Sequence, residues 1–254
     1  MTAIITDPFK KQLSQTVFDE IQNTTARYYI GIGRSESWDS SETVPTPIDA
    51  PRTIRNARAS LQSLKSVGSS TSSFVIPRYN WSSGAIYNAY DDNFTSIPAS
   101  NSYYVLTEDN QVYICLQQGK NAAGVAQAST VKPTGTVAKA IKTADGYVWK
   151  FLYTLSAARS SAFLSANFVP VEKITDSARV NELTGTTTLS TLEIQQALVQ
   201  DSAVAGQIIG LAVTAAGTGY TSAPSVTIDG DGVRAAATAS VSGGAVVKIE
   251  LDSS

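Results

Sequence analysis

Histidine is absent from the 254 residues, and cysteine and methionine occur once each. Without histidine the chain lacks the commonest general base and the commonest transition-metal ligand, and with one thiol a zinc site would have to be all carboxylate. The lone Cys115 excludes a disulfide within the chain and calls for no oxidising compartment; inside Val112-Tyr-Ile-Cys-Leu116 it reads as a small hydrophobe. Charge is sparse too. Nineteen basic and 21 acidic residues leave a net charge of −2 with no basic block, so counterion release has little to act on and no nucleic acid is expected as a partner. No apolar run reaches the length of a membrane span, and the N-terminus has neither the basic start nor the apolar core of a signal peptide. The expectation is therefore no membrane partner and folding in the cytoplasm of whatever cell makes the chain.

Catalytic motifs are missing as well. Serine is plentiful, but no Gly-x-Ser-x-Gly elbow occurs, Gly31-Ile-Gly33 lacks the third glycine of a dinucleotide fingerprint, and there is no Gly-Lys-Ser/Thr loop. Carboxylate pairs drawn from Glu36, Asp39, Glu42, Asp91, Asp92 or Asp145 are what 21 acids supply by chance. Asp229-Gly-Asp-Gly232 lacks the third acidic ligand and distant glutamate of a calcium loop and reads as a tight turn between strands. No catalytic residue, cofactor site or metal site is expected, and the chain is not read as an enzyme.

Apolar residues make up 43% and small polar ones are abundant, a β-leaning composition for one large domain or two smaller ones. Pro8 and the recurrence of Phe9, Leu13, Val17 and Ile21 predict a helix over 7–23. Tyr28-Tyr-Ile-Gly-Ile-Gly33 then predicts a buried strand whose glycines let another group approach closely. Arg34, Glu36 and Trp38 alternate at its end, so an extended chain would put them on one face as a structural brace. Residues 39–52 read as a proline-bearing loop. Ile54, Ala57, Leu61 and Leu64 predict a second helix across 50–67, with Arg52, Arg55, Arg58 and Lys65 on its other faces. Phe74-Val-Ile-Pro-Arg-Tyr-Asn-Trp81 is a second strand ending in an arginine and a tryptophan, Arg78 and Trp81.

A hairpin follows from Tyr103–Leu106 and Val112–Leu116 across a polar turn, then a surface excursion over 117–142. Asp145-Gly146 marks a turn into the strongest strand, 147–155, where period-2 alternation puts Tyr147, Trp149, Phe151 and Tyr153 on one face. That ring stripe reads as a sheet-packing face, or alternatively as a sugar platform. A short helix over 159–166, before Asn167-Phe-Val-Pro-Val171, closes this part. Residues 172–205 form a linker with a peripheral element, and 206–254 an all-β module rich in Gly, Thr and Ala. Within the latter, Gly206–Val213 and Gly244–Leu251 match in pattern 38 residues apart, and the second copy stops short. An incomplete repeat, and hence a truncated or fragmentary chain, is the expectation.

Four of these segments, Gly33-Arg-Ser-Glu-Ser-Trp38, Val75–Trp81, Val112–Leu116 and Asp145-Gly-Tyr-Val-Trp-Lys-Phe-Leu-Tyr153, occur in the order of similar segments in a phage protein family. Residues 6–171 resemble the baseplate wedge protein called gene product eight in T-even contractile-tailed phages. The tail, with its Gly219-Tyr-Thr-Ser-Ala-Pro224 segment, is instead similar to repeats in structural proteins of marine, cyanophage-like myoviruses. The resemblance implies a layered β-sandwich core over 1–171 with helix-bearing loops, mainly β with a few helices. It also implies a homodimer within a six-fold baseplate, contacting other wedge subunits, in the virion tail after assembly in the host cytoplasm. Arg34, Glu36, Trp38, Arg78, Trp81, Tyr147, Trp149 and Tyr153 are then structural or interface residues, with loops 39–60, 82–101 and 117–142 as the contact regions. The rival class is a glycan-binding tail or surface module, motivated by the ring stripe and the Thr/Gly-rich tail.

Overall fold

The computed structural model describes residues 7–23, 27–33, 46, 48–68, 70–94, 102–171, 174, 189–203, 206–230 and 232–252. The chain is mainly β with a few helices and several small antiparallel sheets, as its composition predicts. It divides into two compact units, Met1–Phe74 and Val75–Ser254.

In the first unit α1 (Asp7–Gln22) precedes β1 (Tyr28–Ile32), α2 (Pro51–Ala59) and β2 (Ser63–Val67). The expected second helix stops early. Its C-cap residue Ser60 is still αR, but Gln62 donates its backbone N–H to the Ile32 carbonyl at 2.7 Å, and 63–67 pairs antiparallel with β1 from Tyr28↔Val67 to Ile32↔Ser63. Leu61 and Leu64 therefore fit a helical spacing without being helical; the backbone polar groups of β1 needed a partner, and this segment supplies it. Gly31 permits the close approach anticipated for it, since a Cβ there would sit 2.5 Å from Leu61 Cδ2. Burial of β1 does not hold: all five of its residues are exposed, Ile30 and Ile32 by 63% and 64%. On α1, Phe9, Leu13 and Val17 are exposed as well, while Phe18 stacks on Phe74 with centroids 4.3 Å apart.

The second unit is built on a four-stranded antiparallel sheet. Its members are β4 (Tyr104–Leu106), β5 (Gln111–Gln117), β6 (Ile141–Lys142) and β7 (Val148–Thr154), in spatial order β4-β5-β7-β6. Asn110 turns the β4–β5 hairpin with a φ of 58°, a left-handed conformation that asparagine tolerates. A two-stranded ribbon of β3 (Phe74–Pro77) and β8 (Phe168–Val171) supplies Ile76 and Val169 to a cluster with Leu106, Val112, Leu152, Tyr153 and Leu155. A second cluster joins Val105, Tyr113, Cys115, Tyr147, Trp149 and Phe151 to Tyr87 from a loop. After α3 (Ala157–Phe163), α4 (Thr191–Asp201) starts on a capping box between Ser190 and Glu193 and packs against β7, sending Val199 into that second cluster.

One register shift corrects the expected ring stripe. Val112 pairs with Tyr153 and Tyr113 with Phe151, so Leu152 is the extra residue of a β-bulge. Tyr147, Trp149 and Phe151 stay in one cluster; Tyr153, beyond the bulge, joins the other. A one-residue irregularity reverses the facing of everything after it.

The tail ends in a hairpin of β9 (Ala237–Ser242) and β10 (Ala245–Leu251), turned by Gly243 and Gly244 with φ values of 58° and 77°. Its matched sequence copy, 206–213, forms no strand and runs beside β5 instead; a Cβ on Gly210 would lie 2.9 Å from the Leu116 carbonyl oxygen. Likeness in sequence pattern is thus not likeness in structure here. Of the suspected turn over 229–232, Asp231 lies outside the described residues.

Candidate functional site

The residues singled out in the sequence separate into three groups. Arg34, Glu36 and Trp38 lie outside the described residues. Arg78 follows β3 and ties it to the turn before β8. Its backbone N–H donates to the Asn167 carbonyl at 2.8 Å, Nη1 to the Ser165 carbonyl at 2.9 Å and Nε to Asn80 Oδ1 at 2.8 Å. The guanidinium thus braces two strands through carbonyl oxygens. Arg78→Ala is expected to cost about 1–3 kcal/mol, the value of hydrogen bonds made by a charged donor. Urea unfolding followed on the second unit's tryptophans measures it, and an unchanged midpoint refutes the brace.

Trp81, Tyr147 and Trp149 come together. Trp81 packs on the cluster that holds the other two, and its Nε1 donates to Ser129 Oγ at 3.1 Å. Tyr147 and Trp149 stack at 5.6 Å, and Tyr87 stands edge-on to both, 6.3 Å and 5.4 Å away. The Tyr147 hydroxyl donates to the Gln127 carbonyl at 2.6 Å and accepts from the Tyr87 N–H at 3.2 Å. Tyr147 and Trp149 are completely buried, and Tyr153 nearly so, with its hydroxyl given to the Pro170 carbonyl at 3.0 Å. Burial raises the Tyr147 and Tyr153 phenols above their ordinary range. These rings offer no face to a sugar.

Beside them is a polar centre that sequence reasoning missed. Asp145 Oδ2 accepts from Ser129 Oγ at 3.1 Å and from the Thr130 and Val131 N–H groups at 2.8 and 2.9 Å; Oδ1 accepts from Thr143 Oγ1 and, at 3.4 Å, from the Tyr147 N–H. Burial pushes its carboxyl upward, but the bonds from Thr143, Val131, Thr130 and Ser129 outweigh that and hold it below the usual range. Ser129 is fully buried, as is Pro133, so the 117–142 excursion is partly core. Gly119 belongs to the same packing: a Cβ there would lie 2.6 Å from the Asp145 carbonyl oxygen and 2.7 Å from the Tyr147 ring. The excursion also meets the tail, with Gly124 against Val247 and Lys142 Nζ 2.8 Å from Glu250. The only local signal for this centre was the Asp-Gly turn.

A shallow hollow of about 320 Å³ is lined by Thr154, Ser156, Arg159, Ser190, Leu192, Glu193 and Gln196. Its charges are already engaged: Glu193 accepts from the Ser190 N–H at 2.6 Å, and Arg159 lies over Phe163 and donates to the Val171 carbonyl. Asp91 closes its own turn with Asn93. Among the described residues no group of three or more Cys, Asp or Glu side chains is placed to hold a metal, and no helix is long and apolar enough to cross a membrane. Fold and site together define a mainly-β protein with a ring-filled, hydrogen-bonded core. Neither a scan of protein-family models nor a search of curated proteins finds a match to the chain.

Proposed function

We propose that the chain is a structural subunit of a contractile-tail baseplate wedge, working through protein–protein contacts in virion assembly. The observation that carries the reading is the exposed apolar surface of the first unit. Phe9, Leu13 and Val17 on α1, Tyr29, Ile30 and Ile32 on β1, and Ile54 and Leu64 beyond it are all exposed, a set of large apolar side chains concentrated in one 74-residue unit. A subunit whose neighbours cover that surface accounts for it. Two further features support the same reading. Three of the four segments behind the family resemblance, Val75–Trp81, Val112–Leu116 and 145–153, supply strands or side chains to the two hydrophobic clusters of the second unit. The arginines of α2, Arg52, Arg55 and Arg58, are exposed and spaced along one stripe of a helix without an acidic residue, which suits an acidic neighbour. A glycan-binding module is less well supported, because the rings that motivated it are buried.

The reading places the protein in the tail baseplate, next to other wedge subunits and paired with a second copy of itself. A cryo-reconstruction of the contractile-tailed virion that carries the chain tests it. Density for the chain in each of six wedges, with α1 and β1 covered, is the expected result; a position on the capsid or on a fibre tip overturns it.

A further inference from the structure

We infer that the free edge of β1 is a self-complementary seam, pairing antiparallel with β1 of a second copy about a two-fold axis at Ile30. A two-stranded sheet is marginal by itself, and among the described residues β1 and β2 have no other strand beside them. Their outer edges differ. β2 (Ser63-Leu-Lys-Ser-Val67) carries the charge of Lys65 and two serines, the kind of side chain that keeps an edge from recruiting another strand. β1 (Tyr28-Tyr-Ile-Gly-Ile32) carries no charge and no proline, and it is exposed throughout. An unprotected edge of this composition is one that a partner strand completes.

Backbone direction selects the same side. The Ile32 carbonyl accepts from Gln62 N–H on the β2 side. In an antiparallel ladder the N–H and C=O of one residue point the same way and alternate residue by residue. Ile32, Ile30 and Tyr28 therefore address β2, while Tyr29 and Gly31 hold their N–H and C=O groups toward the open edge.

The sequence then selects the occupant. With Ile30 opposite Ile30 of the second copy, Tyr29 meets Gly31 and Tyr28 meets Ile32, on both sides of the axis. The Tyr29–Gly31 pairs are the hydrogen-bonded ones, using the groups that point outward. Each puts an aromatic ring beside a glycine, a pairing that compensates for the missing side chain. Leu61, which covers Gly31 on that face and is itself 40% exposed, gives the incoming Tyr29 an apolar flank. Tyr28–Ile32 and Ile30–Ile30 are aromatic–aliphatic and β-branched pairs, and no like charges oppose each other. The product is one sheet of order β2-β1-β1-β2 across an isologous contact. The seam rests on the reading above, in which the chain is a paired assembly subunit, and gives that contact its location.

The seam is tested on the purified full chain. At a non-hydrogen-bonded pair the two Cα atoms stand about 4.5 Å apart, inside the range a disulfide spans. Ile30→Cys, oxidised with copper phenanthroline, is expected to run as a covalent dimer on a non-reducing gel. Lys65→Cys, on the opposite edge of the same ribbon, is expected to stay monomeric. The native Cys115 contributes no background, being fully buried with its thiol pushed up to about 12. Tyr29→Lys places a charge on the edge and is expected to weaken dimerisation in sedimentation equilibrium by about tenfold or more, with an unchanged circular dichroism spectrum. A monomeric Ile30→Cys variant, or equal crosslinking through Lys65→Cys, overturns the seam. Because no virion enters these measurements, loss of the seam leaves the baseplate position to be judged by the reconstruction, and a dimer absent from the baseplate leaves the seam standing.

Discussion

Trp149→Ala is expected to destabilise the second unit by about 3–5 kcal/mol, the range for emptying a large buried aromatic site. Trp149 is fully buried at the centre of the four-stranded sheet, paired across the strands with Cys115 and Ile141, stacked on Tyr147 and met edge-on by Tyr87. Removing the indole opens a cavity that neighbouring rings cannot collapse into, since Tyr87 and Tyr147 are themselves pinned by hydrogen bonds to Ser82 and Gln127. Trp149→Phe provides the sharper test. The indole Nε1 is buried with no hydrogen-bond partner among the described residues, and an unmet buried donor costs about 1–3 kcal/mol. Phenylalanine gives up some packing but removes that unmet donor, so its loss should be less than half that of alanine. Urea midpoints for the two variants decide it; a loss for Trp149→Phe as large as that for alanine refutes the expectation.

The bulge at Leu152 marks where the sequence stops being legible. Alternation located β7 and identified its rings as packing residues, and Tyr147 and Trp149 are where that reading put them. A bulge adds one residue without changing the composition of the run, so nothing in the alternation signalled that Tyr153 crosses to the other face. The second helix failed for a related reason. Ile54, Ala57, Leu61 and Leu64 satisfy a helical period, yet Leu64 is in a strand because β1, distant in sequence, lacks another partner among the described residues. Exposure of β1 was hidden too: an apolar strand signals burial, and whether its own chain or another supplies the cover is a property of the assembly. Of the proposed braces, Arg78 follows β3 directly and Trp81 lies four residues beyond it, and both make side-chain bonds to carbonyl or hydroxyl groups that composition does not announce. Asp145 and Ser129 were the least visible. A half-buried carboxylate and a buried serine, sixteen residues apart, look like ordinary loop residues until the fold brings them together.

That centre should dominate the response to acid. Asp145 accepts from two backbone N–H groups in succession and from the hydroxyls of Ser129 and Thr143, and Ser129 passes the connection on to the Trp81 indole. Asp145→Ala strands the fully buried Ser129 hydroxyl and the Thr130 and Val131 donors together, for which about 3–5 kcal/mol is expected from charge-assisted bonds lost as a group. Asp145→Asn keeps the shape and one acceptor oxygen but turns two acceptor positions into donors facing donors, so it should recover little. The pH dependence follows from the depressed carboxyl. A group whose folded-state pKa lies below its unfolded value contributes stability that is complete above the unfolded value, about 3.9, and is lost as pH falls through the folded one. The stability gap between the native chain and Asp145→Asn should hold steady from about pH 5 to neutrality, above the titration range set by that carboxyl, and narrow below about pH 4 as the native carboxylate is protonated. A gap that widens in acid, or does not move, would mean that the carboxylate's charge is not what holds this loop to the sheet.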